Sequence, residues 1–240
     1  MDARFLPAGD TALVVEFGDV VDSVLSEHVL QLSDRIRGAA LSGVIETVPT
    51  FRSLMVHYDP LVTCGARLVD DIRKVVGTAK PSPQRRRLWR LPACYAPSYA
   101  PDLAEVAERT GLRAADVVER HAQTEFHVYM IGFLPGYPYM GDLPTELHLP
   151  RRADPRTRVP AGSVAIAGAM TAVYPIESPG GWHLIGATPV RLFDPQWERP
   201  SLLAPGDAVR FEPITPEQYE AIRADVAANL YTAPSAEMRE

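Results

Sequence analysis

Cysteine and lysine are nearly missing from this chain of 240 residues, which has only Cys64, Cys94, Lys74 and Lys80 of these types. The two cysteines form no Cys-x-x-Cys pair and have no histidine or aspartate cluster beside them, so a disulfide scaffold and a metal site are both unexpected. Free buried thiols in a reducing cytoplasm are the expectation. Neither lysine follows a glycine-rich loop, which excludes a phosphate-cradling P-loop. Gly-x-Ser-x-Gly does not occur, so no serine sits on a nucleophile elbow. No apolar run approaches the roughly 20 residues that cross a bilayer. Nor does the start at Met1 carry the basic head and apolar core of a secretory signal. With a net charge of -6 and a pI near 5.6, the chain also lacks the basic face that nucleic acid or a membrane surface would need. A cytoplasmic protein with neither kind of partner is expected.

What is present is ordinary in bulk: 46% apolar and 22% charged residues, enough for one large or two small cores. The first 80 residues alternate strands with amphipathic helices. Leu13 to Phe17 reads as a strand, and Val21, Val24, Leu25, Val29, Leu32 and Ile36 mark one face of a helix. Val44 to Val48 and Ser53 to Tyr58 follow as strands. A second helix holds Leu68, Val69, Ile72, Val75 and Val76, with Gly77 as its stop. The order βαββα is most of a ferredoxin-like unit, with a last strand available around Leu88 to Tyr95.

Residues 81 to 87, with Pro81, Pro83 and a run of three arginines, read as a linker. Beyond it, 88 to 230 changes character. Two short helices, one around Leu103, Val106 and Ala107 and one around Val117 and Val118, precede short strands punctuated by glycine and proline. These strands are Phe126 to Ile131, Ser163 to Ala167, Gly181 to Ile185, Pro189 to Phe193 and Ala208 to Glu212, a spacing that suggests a closed β-barrel. Thr215-Pro-Glu-Gln218 is a capping box with proline at the first helical position. Residues 231 to 240 read as a frayed tail. The fold class expected is α+β, an N-terminal ferredoxin-like domain followed by a barrel.

Two long signatures carry the functional signal. Gly132-Phe-Leu-Pro-Gly-Tyr-Pro-Tyr-Met-Gly141 and Tyr174-Pro-Ile-Glu-Ser-Pro-Gly-Gly-Trp-His-Leu-Ile-Gly186 alternate backbone-shaping residues with aromatics, as the wall of a pocket or a docking surface does. Phe133, Pro135, Gly136, Tyr137, Tyr139, Gly180, Gly181 and Trp182 are candidates for that surface. Between them, Arg151, Arg152, Arg156 and Arg158 offer guanidinium forks for carboxylate or phosphate, or form a solvated loop with an ion pair or two. Arg158 is the candidate anion fork, with Arg156, Gly162 and Ser163 beside it. Alternation along a strand sends Trp182 and His183 to opposite faces, one packing the barrel and the other reaching the pocket or a partner. His183 is thus a candidate acid or base, with Tyr137 as a second proton donor. Ser178 belongs to the same candidate substrate or partner surface, its hydroxyl read as turn chemistry and not as a nucleophile.

These two signatures, together with Arg156-Thr-Arg-Val-Pro-Ala-Gly-Ser163 and the opening Phe5-Leu-Pro-Ala-Gly-Asp-Thr-Ala-Leu13, resemble the KipI/PxpB family, also called allophanate hydrolase subunit 1. The resemblance covers nearly the whole chain. It implies a C-terminal cyclophilin-like barrel and a cyclophilin-like partner of the KipA/PxpC type. With that partner and a PxpA-type subunit it implies an ATP-dependent 5-oxoprolinase acting on a small lactam or amide, its isolated subunit inactive. It also implies two alternatives: inhibition of a sensor histidine kinase, or an accessory role in a urea carboxylase and allophanate hydrolase system. Ala187 departs from the pattern, since the family often has arginine there.

Overall fold

The computed structural model describes residues 3 to 78 and 86 to 237, in two units, Met1–Arg85 and Arg86–Glu240. Most of the expected linker, residues 81 to 85, lies outside the described residues.

In the first unit, β1 (Arg4–Pro7) and β2 (Ala12–Glu16) form a hairpin that precedes α1 (Ser23–Ala39). Asp22 caps that helix, its carboxylate accepting from the amides of Val24 at 2.9 Å and Leu25 at 3.2 Å. The cap sets the helix start after Val21, so Val21 and Val24 are exposed, whereas Val29, Leu32 and Ile36 of the expected face are buried. Next come β3 (Val44–Pro49), β4 (Ser53–Tyr58) and α2 (Gly65–Thr78). The helix continues past Gly77, one residue beyond the expected stop.

The strand order is β1-β2-β4-β3. The expected closing strand near Leu88 does not join this sheet. Its place on the free edge of β2 is taken by β1, which pairs antiparallel from Arg4↔Glu16 to Pro7↔Leu13. A hairpin partner reaches that edge through a short turn, whereas a later strand would need a long return.

The second unit opens with β5 (Arg87–Cys94), α3 (Leu103–Thr110) and α4 (Ala114–Gln123). Gly111 ends α3 in the left-handed conformation. Strands β6 (Phe126–Ile131), β7 (Pro138–Met140), β8 (Arg156–Val159), β9 (Ser163–Ala167), β10 (Met170–Val173), β11 (Ser178–Gly180) and β12 (His183–Ala187) follow. The chain then gives β13 (Ala208–Ile214), α5 (Pro216–Ala227) and β14 (Ser235–Glu237). Thr215 caps α5 with the expected capping box.

Strands β12-β9-β10-β7-β6-β13-β5 run round a ring that closes where Ala187 of β12 pairs with Cys94 of β5. This is the cyclophilin-like barrel. Its interior holds Leu91, Val128, Met140, Val164, Ile166, Ile185, Val209 and Phe211. Two expectations fail. Pro189 to Phe193 is not a strand, because Pro189 has no amide to donate to a ladder, and only an isolated bridge joins Phe193 to Ser201. The supposed frayed tail is ordered through Glu237: β14 adds to the edge of β5, with Ser235 opposite Trp89. Cys94 is buried as expected, but Cys64 is exposed.

Candidate functional site

The two signatures meet on one side of β12, and the arginine connector meets α3 on the other. Trp182 and His183, adjacent in the chain, divide them. On the first side Tyr137, Tyr139, Tyr174 and Trp182 form an aromatic wall. The Tyr137 ring is edge-on to Tyr139 at 5.0 Å, to Tyr174 at 5.2 Å and to Trp182 at 6.2 Å. Phe133 extends the wall outward, its ring 5.3 Å from Tyr137. It is 63% exposed and sits at φ 67°, a conformation that costs a bulky residue free energy and recurs where a surface meets something else. Pro135 is exposed beside it, and Gly136 takes φ 75° against Phe193.

Two glycines set the shape of this wall. A side chain at Gly180 would overlap the Tyr174 hydroxyl, and one at Gly162 would overlap the Thr188 carbonyl. Gly162 also takes φ 83°, a region that only glycine enters freely. Its amide donates to the Tyr174 carbonyl at 2.7 Å, so it cannot also serve an oxyanion.

Tyr137, the expected proton donor, lies inside the wall and is 1% exposed. Burial pushes its phenol far above the ordinary range, and its hydroxyl donates to that of Tyr174. Tyr139 and Tyr174 are raised for the same reason, and in all three the positive charge of Arg151 works the other way. The hydroxyls of Ser163 and Ser178 both donate to carbonyls, of Pro160 at 2.8 Å and of Pro179 at 3.3 Å, so neither stands opposite a base.

On the second side, Asp102 gathers the cations. It precedes α3 yet makes no side-chain cap bond. Instead its carboxylate accepts from the Leu184 amide at 2.7 Å, from Arg156 at 2.5 and 2.9 Å and from Arg152 at 3.2 Å. Only 4% of its side chain is exposed. Glu105, one turn on, accepts from Arg152 at 3.1 Å and from Arg109 at 3.2 Å. Arg156 is thus a half-buried strut, its guanidinium fork engaged by Asp102.

His183 faces this lattice with no exposure to solvent, so it reaches neither an open pocket nor a partner surface. Its Nε2 lies 3.0 Å from the Pro150 carbonyl, which can only accept, so Nε2 carries a proton. Its buried Nδ1 has no hydrogen-bond partner; the nearest carboxylate oxygen, on Glu105, is 4.0 Å away.

Of the connector arginines, Arg152 and Arg156 are half-buried, whereas Arg151 and Arg158 are exposed. Arg158 pairs with Glu177 at 2.7 Å while 76% of its side chain stays exposed. Gly181, whose carbonyl accepts from the Arg152 amide at 2.8 Å, joins the two sides. Asp102 and Glu105 were missed in the sequence because a carboxylate at a helix start reads as a cap. Among the described residues no group of three or more His, Cys, Asp or Glu side chains could hold a metal, and no helix is long and apolar enough to cross a membrane.

Comparison with known proteins agrees with this architecture. Residues 3–203 match the family model described as carboxyltransferase domain, subdomain C and D. The PxpB subunit of the Bacillus subtilis 5-oxoprolinase is 36% identical over 229 residues, 90% of this chain and 94% of that one. The crystal structure of TTHA0988 superposes with a TM-score of 0.77 at 36% identity over 85% of this chain, which spans only 40% of that longer chain. The Kluyveromyces lactis urea amidolyase shares the fold, with a TM-score of 0.80 at 21% identity over 98% of this chain and 16% of that one.

Proposed function

The chain belongs to the carboxyltransferase subdomain C and D family, within which it is related to the PxpB subunits of 5-oxoprolinases, and on that premise we propose that it is a non-autonomous subunit of an ATP-dependent 5-oxoprolinase. The observation that carries this reading is the end-to-end match to the Bacillus subtilis protein, with 90% of one chain and 94% of the other aligned. The complex opens 5-oxoproline to glutamate, and a KipA/PxpC-type and a PxpA-type subunit complete it.

The side chains support the non-autonomous part. A lactam is a poor electrophile, and ATP supplies the activation by phosphorylating its oxygen. Three of the four connector arginines are already paired. Arg152 and Arg156 are neutralised by Asp102 and Glu105, and Arg158 by Glu177. On this reading the ATP site is placed on a partner chain.

What this chain contributes is half of a cavity. Tyr137 and Tyr174, kept protonated by burial, brace each other and hold the wall rigid. Tyr139, Trp182 and exposed Phe133 present apolar faces to the lactam ring and to the cyclophilin-like partner. Arg158 exchanges Glu177 for the substrate carboxylate at the rim. His183 is a positioning residue: it ties β12 to Pro150 and keeps Trp182 on the opposite face.

The test is reconstitution. The chain alone should form no glutamate from 5-oxoproline with ATP, and the chain with both partners should form it. Turnover by the chain alone, or none by the complete set, would overturn the reading. Gly180→Ala, which displaces the Tyr174 hydroxyl, should lower kcat/KM of the complex by about tenfold or more.

A further inference from the structure

A second concavity, of about 340 Å³, lies wholly within the barrel unit and shares no lining residue with the aromatic wall or the Asp102 lattice. Trp89, Trp197 and Tyr231 form its apolar sides, and Arg87 and Arg191 line it as well. Its size falls in the range of small-molecule sites, which start near 300 Å³.

One wall is built by the end of the chain. Asn229, at φ 57°, reverses the chain after α5, and Ala233 is buried. The Pro234 carbonyl then accepts from the Arg90 amide at 3.0 Å, and β14 locks onto β5. Tyr231 and Thr232 thereby line the same cavity as the two tryptophans. This wall lies beyond residue 203, where the family match stops, whereas the opposite side, with Arg87, Trp89, Arg191 and Trp197, lies within it.

The two cations are not equivalent. Arg191 is bound to Asp194 at 2.7 Å. The Arg87 guanidinium instead lies over the Trp89 ring, 5.9 Å from its centroid, with no carboxylate in ion-pair range among the described residues. Asp207, the nearby acid, spends its oxygens on the Trp89 indole at 2.9 Å and on the amides of Arg87 at 3.1 Å and Ala204 at 3.0 Å. The lining thus offers flat apolar faces and one guanidinium, that of Arg87, which makes no direct ion pair among the described residues and interacts with the Asp207 charge only at longer range.

We propose that this cavity binds a small molecule with a flat apolar body and a single anionic group, such as an aromatic carboxylate or sulfonate. The rings take the body, and Arg87 takes the charge by a charge-assisted hydrogen bond.

The probe is 8-anilinonaphthalene-1-sulfonate added to the full-length chain, with fluorescence excited through tryptophan. A single saturable site is expected, with energy transfer that survives Trp182→Phe, since Trp89 and Trp197 line the cavity. Arg87→Gln should weaken binding by about tenfold, the cost of one charge-assisted contact. The uncharged analogue N-phenyl-1-naphthylamine should bind the wild type about tenfold more weakly for the same reason. Thr232→Trp, which adds bulk to the lining, should abolish binding. Non-saturable binding by the wild type would overturn the proposal, as would equal affinity in Arg87→Gln or equal affinity for the uncharged dye. Because Arg87 carries its charge on an exposed side chain, that variant decides the matter even if Thr232→Trp does not fold.

Discussion

Two histidines, His121 and His183, are both fully shielded from solvent in the barrel unit, and their surroundings could hardly differ more. Thr171 has one hydroxyl proton, and the Ala165 carbonyl 3.2 Å away can only accept it. The Nε2 of His121, 2.9 Å from the Thr171 oxygen, therefore donates to it, and Nδ1 accepts from the Tyr95 hydroxyl at 2.9 Å. Every polar atom in that chain is used, and Phe126 and Phe211 pack against the ring. His183 has one nitrogen satisfied and one not, beside two carboxylates and three arginines. Burial alone says nothing about role. How completely the hydrogen-bonding groups are matched separates a finished core from a place where charge is held in tension.

The largest expected break is on the His183 side. Asp102→Ala removes the acceptor for Arg152, Arg156 and the Leu184 amide together, and should destabilise the barrel by about 3–5 kcal/mol in chemical denaturation. A loss below about 1 kcal/mol would mean that the arginines find water instead.

Acid should act on the His121 side. Burial depresses this histidine from its ordinary value near 6.5 to about 3, so the native state keeps it neutral while the unfolded chain takes up a proton. Its contribution is complete above about pH 6.5 and falls away as the pH drops toward 3, by about 3 kcal/mol between pH 7 and 4. Denaturation midpoints across that range should show the slope, and His121→Phe should flatten it.

A paired substitution compares the two sites directly. His121→Gln leaves Tyr95 or Thr171 without a partner and should cost about 1–3 kcal/mol. His183→Gln keeps a donor for the Pro150 carbonyl and should cost about 1 kcal/mol or less. Equal losses in thermal unfolding would remove the distinction.

The smallest effect on stability belongs to Arg158→Ala, within about 0.5 kcal/mol because the Glu177 pair is exposed. The same change should cut 5-oxoprolinase turnover by the reconstituted complex about tenfold or more, which marks Arg158 as functional without being structural.

Much of this architecture was legible in the residues. Apolar spacing marked α1 and α2, the Thr215 capping box placed the start of α5, and glycine and proline punctuation indicated a barrel. The aromatic signatures do converge, on a wall of four rings. What stayed hidden depends on distant partners. Nothing local separates Arg156, braced by a carboxylate 54 positions away, from Arg158, two residues on and exposed. The alternation argument correctly parted Trp182 from His183, but it could not show that the far face is also covered, by α3. Nor could composition reveal that β14 finds an open edge on β5.

Strands β13 and β5 are laced together over seven residue pairs, from Ala208↔Leu88 to Ile214↔Cys94, whereas β12 meets β5 at a single pair. The hoop therefore has a clasp, at Ala187, where a small side chain nestles between Cys94 and Tyr219 of α5. An arginine there, as the family resemblance led one to expect, would put a charged stem into that clasp. With alanine, Tyr219 of the helix packs directly on the join, so α5 braces the ring at its thinnest seam.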